Sequence, residues 1–111
     1  MIDIQILKTE IVELLKPLDP DKVILFGSYA YGNPTEESDI DLFLIKDDLD
    51  MDSLDAYELY ANRRLTELIY KHGVGFDILS APTRFIKQRD DYFYKVDILQ
   101  NGKVWYERPS S

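Results

Sequence analysis

The segment from Asp39 to Ile45 constrains the fold of this chain more than any other. Ile40, Leu42 and Leu44 recur with the period of two that a β-strand requires. Residues i and i+2 of a strand point to the same face, so Asp39 and Asp41 present two carboxylates on one face while the apolar residues face the packing. The segment therefore predicts a buried strand that begins with a pair of carboxylates.

Two further short apolar runs predict two more strands. Val23–Phe26 lies between turn signals, starts with β-branched residues and is followed at once by Gly27-Ser28. The run from Val74 to Leu79 alternates apolar and other residues, with Asp77 in its middle. If the second and third strands pair in a suitable register, Asp77 becomes a third carboxylate beside the first two.

Helical periodicity fills most of the remaining chain. A first amphipathic helix begins near Ile4 and ends before Pro17. A long helix is expected from a cap at Asp52 or Ser53 to Gly73, and a last helix from about Phe85 to Gln100. The apolar stripe of the long helix comprises Leu54, Tyr57, Ala61, Leu65, Leu68 and Ile69. Lys103–Glu107 reads as a closing short strand or edge.

Length and composition narrow the class of protein. A chain of 111 residues makes one domain, residues 1–111, with an α/β (α+β) fold in which helices flank a small mixed sheet, mainly on one face. A net charge of −8 disfavours bulk nucleic-acid binding. The chain has no cysteine, which excludes thiolate chemistry, and it has no apolar stretch long enough for a membrane span. A soluble, cytoplasmic protein is expected.

The polar ends of the predicted strands point to phosphate chemistry. Carboxylates about 4 Å apart repel by roughly 4 kcal/mol per pair, a cost that a hard divalent cation such as Mg²⁺ or Mn²⁺ removes. Gly27 lets the backbone approach a ligand, and Ser28 offers a hydroxyl and an N–H at the start of a short helix, where a phosphate is favoured. The pattern predicts phosphoryl or nucleotidyl transfer and does not contain a Walker loop.

The sequence GSYAYGNPTEESDIDLFLI, residues 27–45, resembles the signature of the minimal nucleotidyltransferases of the polymerase β-like superfamily. That signature is Gly-Ser, ten residues, then Asp-x-Asp, and the spacing here is the same. The third family carboxylate, on a later strand, corresponds to Asp77 in GFDIL. The resemblance covers the whole chain, because the predicted order of helices and strands is that of the family, and it implies the polymerase β-like nucleotidyltransferase fold.

The resemblance also implies roles for the motif residues. Asp39 and Asp41 would bind two Mg²⁺ ions that hold the triphosphate, Mn²⁺ being an alternative metal, and Gly27 and Ser28 would bind its phosphates. Asp77 would bind the metal nearer the acceptor and help to deprotonate the attacking hydroxyl, which displaces pyrophosphate from the α-phosphorus. The reaction would be transfer of AMP from ATP to an acceptor hydroxyl. One departure is Tyr31, at a position where many relatives carry arginine or lysine.

Standalone family members of this size resemble the antitoxin half of two-component modules whose partner is an all-helical HEPN-type ribonuclease toxin, adenylylated on tyrosine. The resemblance therefore implies ATP and a toxin protein as partners, in a homo- or hetero-oligomer. Two alternatives stay open. The chain could be a catalytically weak or inactive binding module that neutralises its partner by occlusion, or an enzyme acting on a small molecule.

Overall fold

A computed structural model describes residues 3–109 and contains one four-stranded sheet. The strands are β1 (Lys22–Phe26), β2 (Ile40–Ile45), β3 (Phe76–Ala81) and β4 (Lys103–Glu107), in the spatial order β3-β2-β1-β4. Strand β1 lies antiparallel to β2 and to β4, whereas β2 and β3 are parallel. The predicted mixed sheet flanked by helices is therefore confirmed.

Two long helices cover the first face of the sheet. They are α1 (Ile4–Leu15) and α3 (Leu54–His72), and α3 ends at Gly73 in the left-handed conformation, as predicted. The core under these helices includes Leu7, Ile11, Leu25, Leu42, Tyr57, Leu65 and Ile78. The alternation of β2 thus places Ile40, Leu42 and Leu44 in this core.

Two residues of the predicted α3 stripe lie outside the buried core. Tyr57, Ala61, Leu65 and Leu68 are buried, but Leu54, at the start of the helix, is partly exposed and Ile69 is 37% exposed. The buried side chains follow one line along the helix, and Ile69 lies at the margin of that line. The inclusion of Ile69 in the apolar stripe was therefore wrong.

The second face of the sheet carries a separate apolar cluster. Its members are Ile24, Phe26, Phe43, Ile45, Ala81, Ile86 and Ile98, with Phe85, Phe93 and Tyr94 packed against them. Two short helical segments cover it, α4 (Thr83–Lys87) and a π-helical segment (Phe93–Ile98). Phe43 and Ile45 lie in this cluster, so the carboxyl-terminal part of β2 is buried on both faces.

The prediction of one continuous helix from about Phe85 to Gln100 was wrong. The chain leaves the helical conformation after Lys87 and resumes it at Tyr92. At the break, the Arg89 guanidinium donates to Asp91 at 2.7 Å and lies over the Phe85 ring at 5.3 Å from the centroid. The wide π-helical turn then packs the adjacent aromatic rings Phe93 and Tyr94 against Phe26 and Phe43. Tertiary packing has overridden the local periodicity.

The strand pairing brings the end of β1 and the starts of β2 and β3, which carry the polar residues, to the same end of the sheet. A single helical turn, α2 (Ser28–Tyr31), follows β1 directly. The third strand begins two residues later than predicted, at Phe76, and continues to Ala81. Val74 lies just before the strand and is buried.

Within residues 3–109, no helix is long and apolar enough to cross a membrane.

Leu65→Ala and Ile69→Ala form a matched pair that tests how α3 packs. Leu65 is fully buried, so its truncation should lower the free energy of unfolding by about 2–5 kcal/mol. Ile69→Ala removes a similar number of carbons from a part-exposed site and should cost about 1 kcal/mol or less. Urea denaturation in the presence of EDTA measures both. An equal loss in the two variants would contradict the packing described here.

Candidate active site

The pairing register of β2 and β3 sets the position of two carboxylates. Asp41 and Asp77 are direct partners across the parallel ladder, so their side chains leave the sheet on the same face. On the other side of Asp41, its partner in β1 is Phe26, the last residue of that strand. Asp41 therefore lies between Phe26, which belongs to the apolar cluster on the second face, and Asp77 on β3. The expected juxtaposition of Asp41 and Asp77 is what the structure has.

Asp39 lies just before β2, beside a glycine that the sequence patterns did not single out. The Ile40 N–H donates to the Gly75 carbonyl at 2.9 Å, which brings the two chain segments together at this point. A Cβ built on Gly75 would lie 2.5 Å from Asp39 Oδ1. The Asp39 carboxylate thus occupies the space that a side chain at position 75 would take. No local signal marks Gly75, because its role depends on the strand pairing.

Gly27 makes the corresponding space for Asp41. It connects β1 to α2 with φ 74°, a conformation that residues with a side chain rarely adopt. A Cβ at this position would also overlap the Asp41 carboxylate. The glycine of the Gly-Ser pair is therefore required both by the turn and by the close approach of Asp41.

The electrostatics of the site are those of crowded negative charge. Asp41 is half-buried, and this burial, together with the nearby charges of Asp77 and Asp39, raises the pKa of Asp41 to about 6. No basic side chain contributes to this shift. A strongly raised carboxyl pKa in such a cluster is the property expected of a functional site and has no evident structural benefit.

The donor set fits a hard divalent cation that is shared with a phosphate substrate. The three carboxylates supply only oxygen ligands, which Mg²⁺ and Mn²⁺ prefer. Within the described residues 3–109, however, no three side chains of metal-binding type lie close enough together to enclose an ion. Mg²⁺ commonly keeps one or two protein carboxylates and completes its shell with water and substrate phosphates. The open arrangement is compatible with that mode of binding.

Ser28 and Tyr31 occupy the two ends of α2. Ser28 is the first residue of the turn, next to Gly27 and hence next to the Asp41 carboxylate. Tyr31 is half exposed, and its hydroxyl donates to Asp97 Oδ1 at 2.6 Å, which raises the pKa of the phenol. Tyr31 therefore ties α2 to the π-helical segment. Its hydroxyl is engaged within the protein, where an arginine or lysine could have reached a phosphate.

Comparison with known proteins identifies the family of this chain. Residues 9–110 match the family model described as "Polymerase beta, Nucleotidyltransferase". "Putative protein adenylyltransferase MJ0604" of Methanocaldococcus jannaschii is 36% identical over 85 residues, which is 77% of each chain.

Two solved structures share the fold. A crystal structure of a toxin-antitoxin with AMP-PNP aligns with 91% of this chain and 73% of its own, at 22% identity and a TM-score of 0.55. A mutant form of the toxin-antitoxin MntA-HpeT aligns over the same shares, at 20% identity and a TM-score of 0.57. The family match extends over nearly the whole chain and includes every residue of the site, so the chain belongs to the polymerase β nucleotidyltransferase family.

Proposed function

We propose that this protein is a Mg²⁺-dependent adenylyltransferase that moves AMP from ATP to a tyrosine hydroxyl of a helical, HEPN-type toxin. The observation that carries the proposal is that Asp41 pairs with Asp77 across β2 and β3, with the charge of Asp39 nearby and the Gly27 turn against the Asp41 carboxylate. Family membership supports nucleotidyl transfer. The name of the Methanocaldococcus relative supports a protein acceptor, and the toxin-antitoxin neighbour with AMP-PNP supports both an adenine nucleotide and a toxin partner.

The proposed roles fall to two groups of residues, the carboxylates at the starts of β2 and β3 and the turn that follows β1. Asp39, Asp41 and Asp77 would hold Mg²⁺, which when bound neutralises the triphosphate and polarises the phosphorus under attack. The Ser28 hydroxyl and the backbone at the Gly27 turn bind and orient the phosphates. Positioning and charge neutralisation account for most of the barrier reduction in phosphoryl and nucleotidyl transfer, and these groups would supply both.

Asp77 lies on the side from which an acceptor can approach. It is exposed and belongs to β3, an outer strand of the sheet. Asp41, by contrast, is half-buried between β1 and β3. Asp39 is also exposed but lies just before the inner strand β2, so we assign acceptance of the hydroxyl proton to Asp77 on the outer strand and nucleotide binding to Asp39 and Asp41.

The surroundings of the three carboxylates favour a protein as the acceptor. Most of the described residues belong to the sheet and to the helical segments, which leaves short connections to enclose a small acceptor. Four acidic residues, Glu36, Glu37, Asp39 and Asp41, precede or begin β2 at this end of the sheet. A partner with a basic surface would complement this charge and present its own hydroxyl at the open side of β3.

Transfer can be tested with Asp39→Asn and Asp41→Asn. Loss of either carboxylate removes several kcal/mol of charge stabilisation, so the rate of AMP transfer to the partner toxin should fall at least about a thousandfold. The assay follows label from ATP carrying ³²P on its α-phosphate into protein, separated by mass. Asp90 is an exposed aspartate that does not belong to the carboxylate group of the site, so Asp90→Asn is the matched control and should transfer at the wild-type rate.

Two outcomes would contradict the proposal. Full transfer by Asp39→Asn would show that this carboxylate does not act in the reaction. If no protein is labelled although the toxin is bound, and Asp39→Asn still suppresses toxicity, the chain neutralises its partner by occlusion.

The raised pKa of Asp41 predicts a pH-dependent gain in stability for Asp41→Asn without metal. The ordinary pKa of this carboxyl is 3.8, and in the fold it is about 6. Above pH 6 the wild type must bury an ionised group, whereas below pH 4 the group is neutral in both the folded and unfolded states. Asp41→Asn should therefore melt at a higher temperature than the wild type at pH 7.5 in EDTA, and this gain should disappear between pH 6 and 4.

Mg²⁺ should reverse the order of the melting temperatures of the wild type and Asp41→Asn. In the presence of Mg²⁺ and a non-hydrolysable ATP analogue at pH 7.5, the melting temperature of the wild type should rise, and that of Asp41→Asn should rise less. Thermal denaturation followed by circular dichroism measures both effects, with Asp90→Asn as the control. A variant that melts below the wild type at every pH in EDTA would contradict the described charge crowding.

A further inference from the structure

Gly75 precedes β3 directly and lies opposite Asp39. We propose that Gly75 is a positioning residue, whose missing side chain leaves the space that holds the Asp39 carboxylate toward the metal and the triphosphate. This inference rests on the proposed function, because it takes Asp39 as a ligand of Mg²⁺. It adds a requirement for glycine immediately before the strand that carries Asp77.

The contact that defines this role is made with the Asp39 side chain. A Cβ at position 75 would lie 2.5 Å from Asp39 Oδ1, 3.2 Å from Cγ and 3.8 Å from Oδ2, and these are its three nearest heavy atoms. A separation below 3.0 Å is essentially never seen for a real Cβ, so one of the two groups must move. The carboxylate is the free end of a flexible side chain and moves at lower cost than the backbone. A methyl group at position 75 therefore displaces Asp39.

The backbone at Gly75 accepts an alanine. Its φ lies outside the left-handed range, in contrast to the φ of 74° at Gly27. The Gly75 carbonyl, which accepts the Ile40 N–H at 2.9 Å, remains available after the substitution. Gly75→Ala thus changes the position of one carboxylate, whereas a substitution at Gly27 would also strain the turn that precedes Ser28.

Gly73 supplies a matched control in the same segment. It ends α3 in the left-handed conformation, with φ 67°, and a Cβ there would meet no atom within 4 Å. Gly73→Ala should therefore lower stability through backbone strain without touching Asp39. Comparing Gly75→Ala with Gly73→Ala therefore distinguishes the effect of a displaced Asp39 carboxylate from that of a general loss of stability.

The first experiment titrates Mg²⁺ against a fixed concentration of a non-hydrolysable ATP analogue and follows the melting temperature. Supporting residues around a metal site typically change metal affinity 10- to 100-fold when altered. For Gly75→Ala, the Mg²⁺ concentration at half of the thermal shift should rise by about that factor, while Gly73→Ala keeps the wild-type value. Asp39→Ala should show little shift.

The Asp39→Ala and Gly75→Ala results distinguish a failure of the proposed function from a failure of the role of Gly75. If Asp39→Ala keeps the full Mg²⁺ shift, the proposed function fails. If Asp39→Ala loses the shift but Gly75→Ala keeps the wild-type midpoint, the role of Gly75 alone is overturned.

A double variant tests the contact itself and remains informative if Gly75→Ala folds poorly. In an Asp39→Ala background the carboxylate is gone, so adding Gly75→Ala should change the melting temperature in EDTA only by the effect of Gly→Ala on the unfolded chain, which is the same in both backgrounds. The contact with Asp39 should add a further shift in the wild-type background. Equal shifts in both backgrounds would show that the methyl group meets something other than Asp39, and would overturn the inference.

Discussion

The parallel pairing of β2 with β3 is the constraint on which the site depends. It places Asp77 directly opposite Asp41, and it brings Gly75 level with Asp39. Strand side chains alternate between faces, so a slip of one residue would send Asp77 to the opposite face of the sheet. Apolar packing prevents that slip, because Ile40, Leu42 and Ile78 must all enter the core under α1 and α3. The fold thus fixes a cluster of charges that would not assemble by itself.

The uneven covering of the two faces keeps this cluster accessible. The long helices α1 and α3 cover the first face, whereas within residues 3–109 the second face is covered by the shorter α4 and the π-helical segment. The aromatic rings of that segment cover Phe26 and Phe43. The next side chains along β2 toward its start on this face, Asp41 and then Asp39, are left at the edge of the apolar cover. Half-burial raises the pKa of Asp41 and still leaves room for a ligand.

Much of the fold and most of the site could be predicted from local sequence patterns. The alternation from Asp39 to Ile45 and the run ending at Gly27-Ser28 predicted two strands and the residues at their ends. What could not be predicted depends on contacts between distant segments. The break after Lys87 and the π-helical turn arise from packing of Phe93 and Tyr94 on the sheet, and the importance of Gly75 arises from strand pairing with Asp39. Periodicity within one segment contains neither kind of information.

The most direct test of the central claim is to locate the metal. A crystal of the protein with Mn²⁺ and a non-hydrolysable ATP analogue, measured at the manganese absorption edge, gives the position of every bound ion. We expect an anomalous peak within coordination distance of Asp39, Asp41 and the nucleotide phosphates, with the phosphates at the Gly27-Ser28 turn. Manganese bound elsewhere, or a nucleotide that does not contact this cluster, would contradict the account.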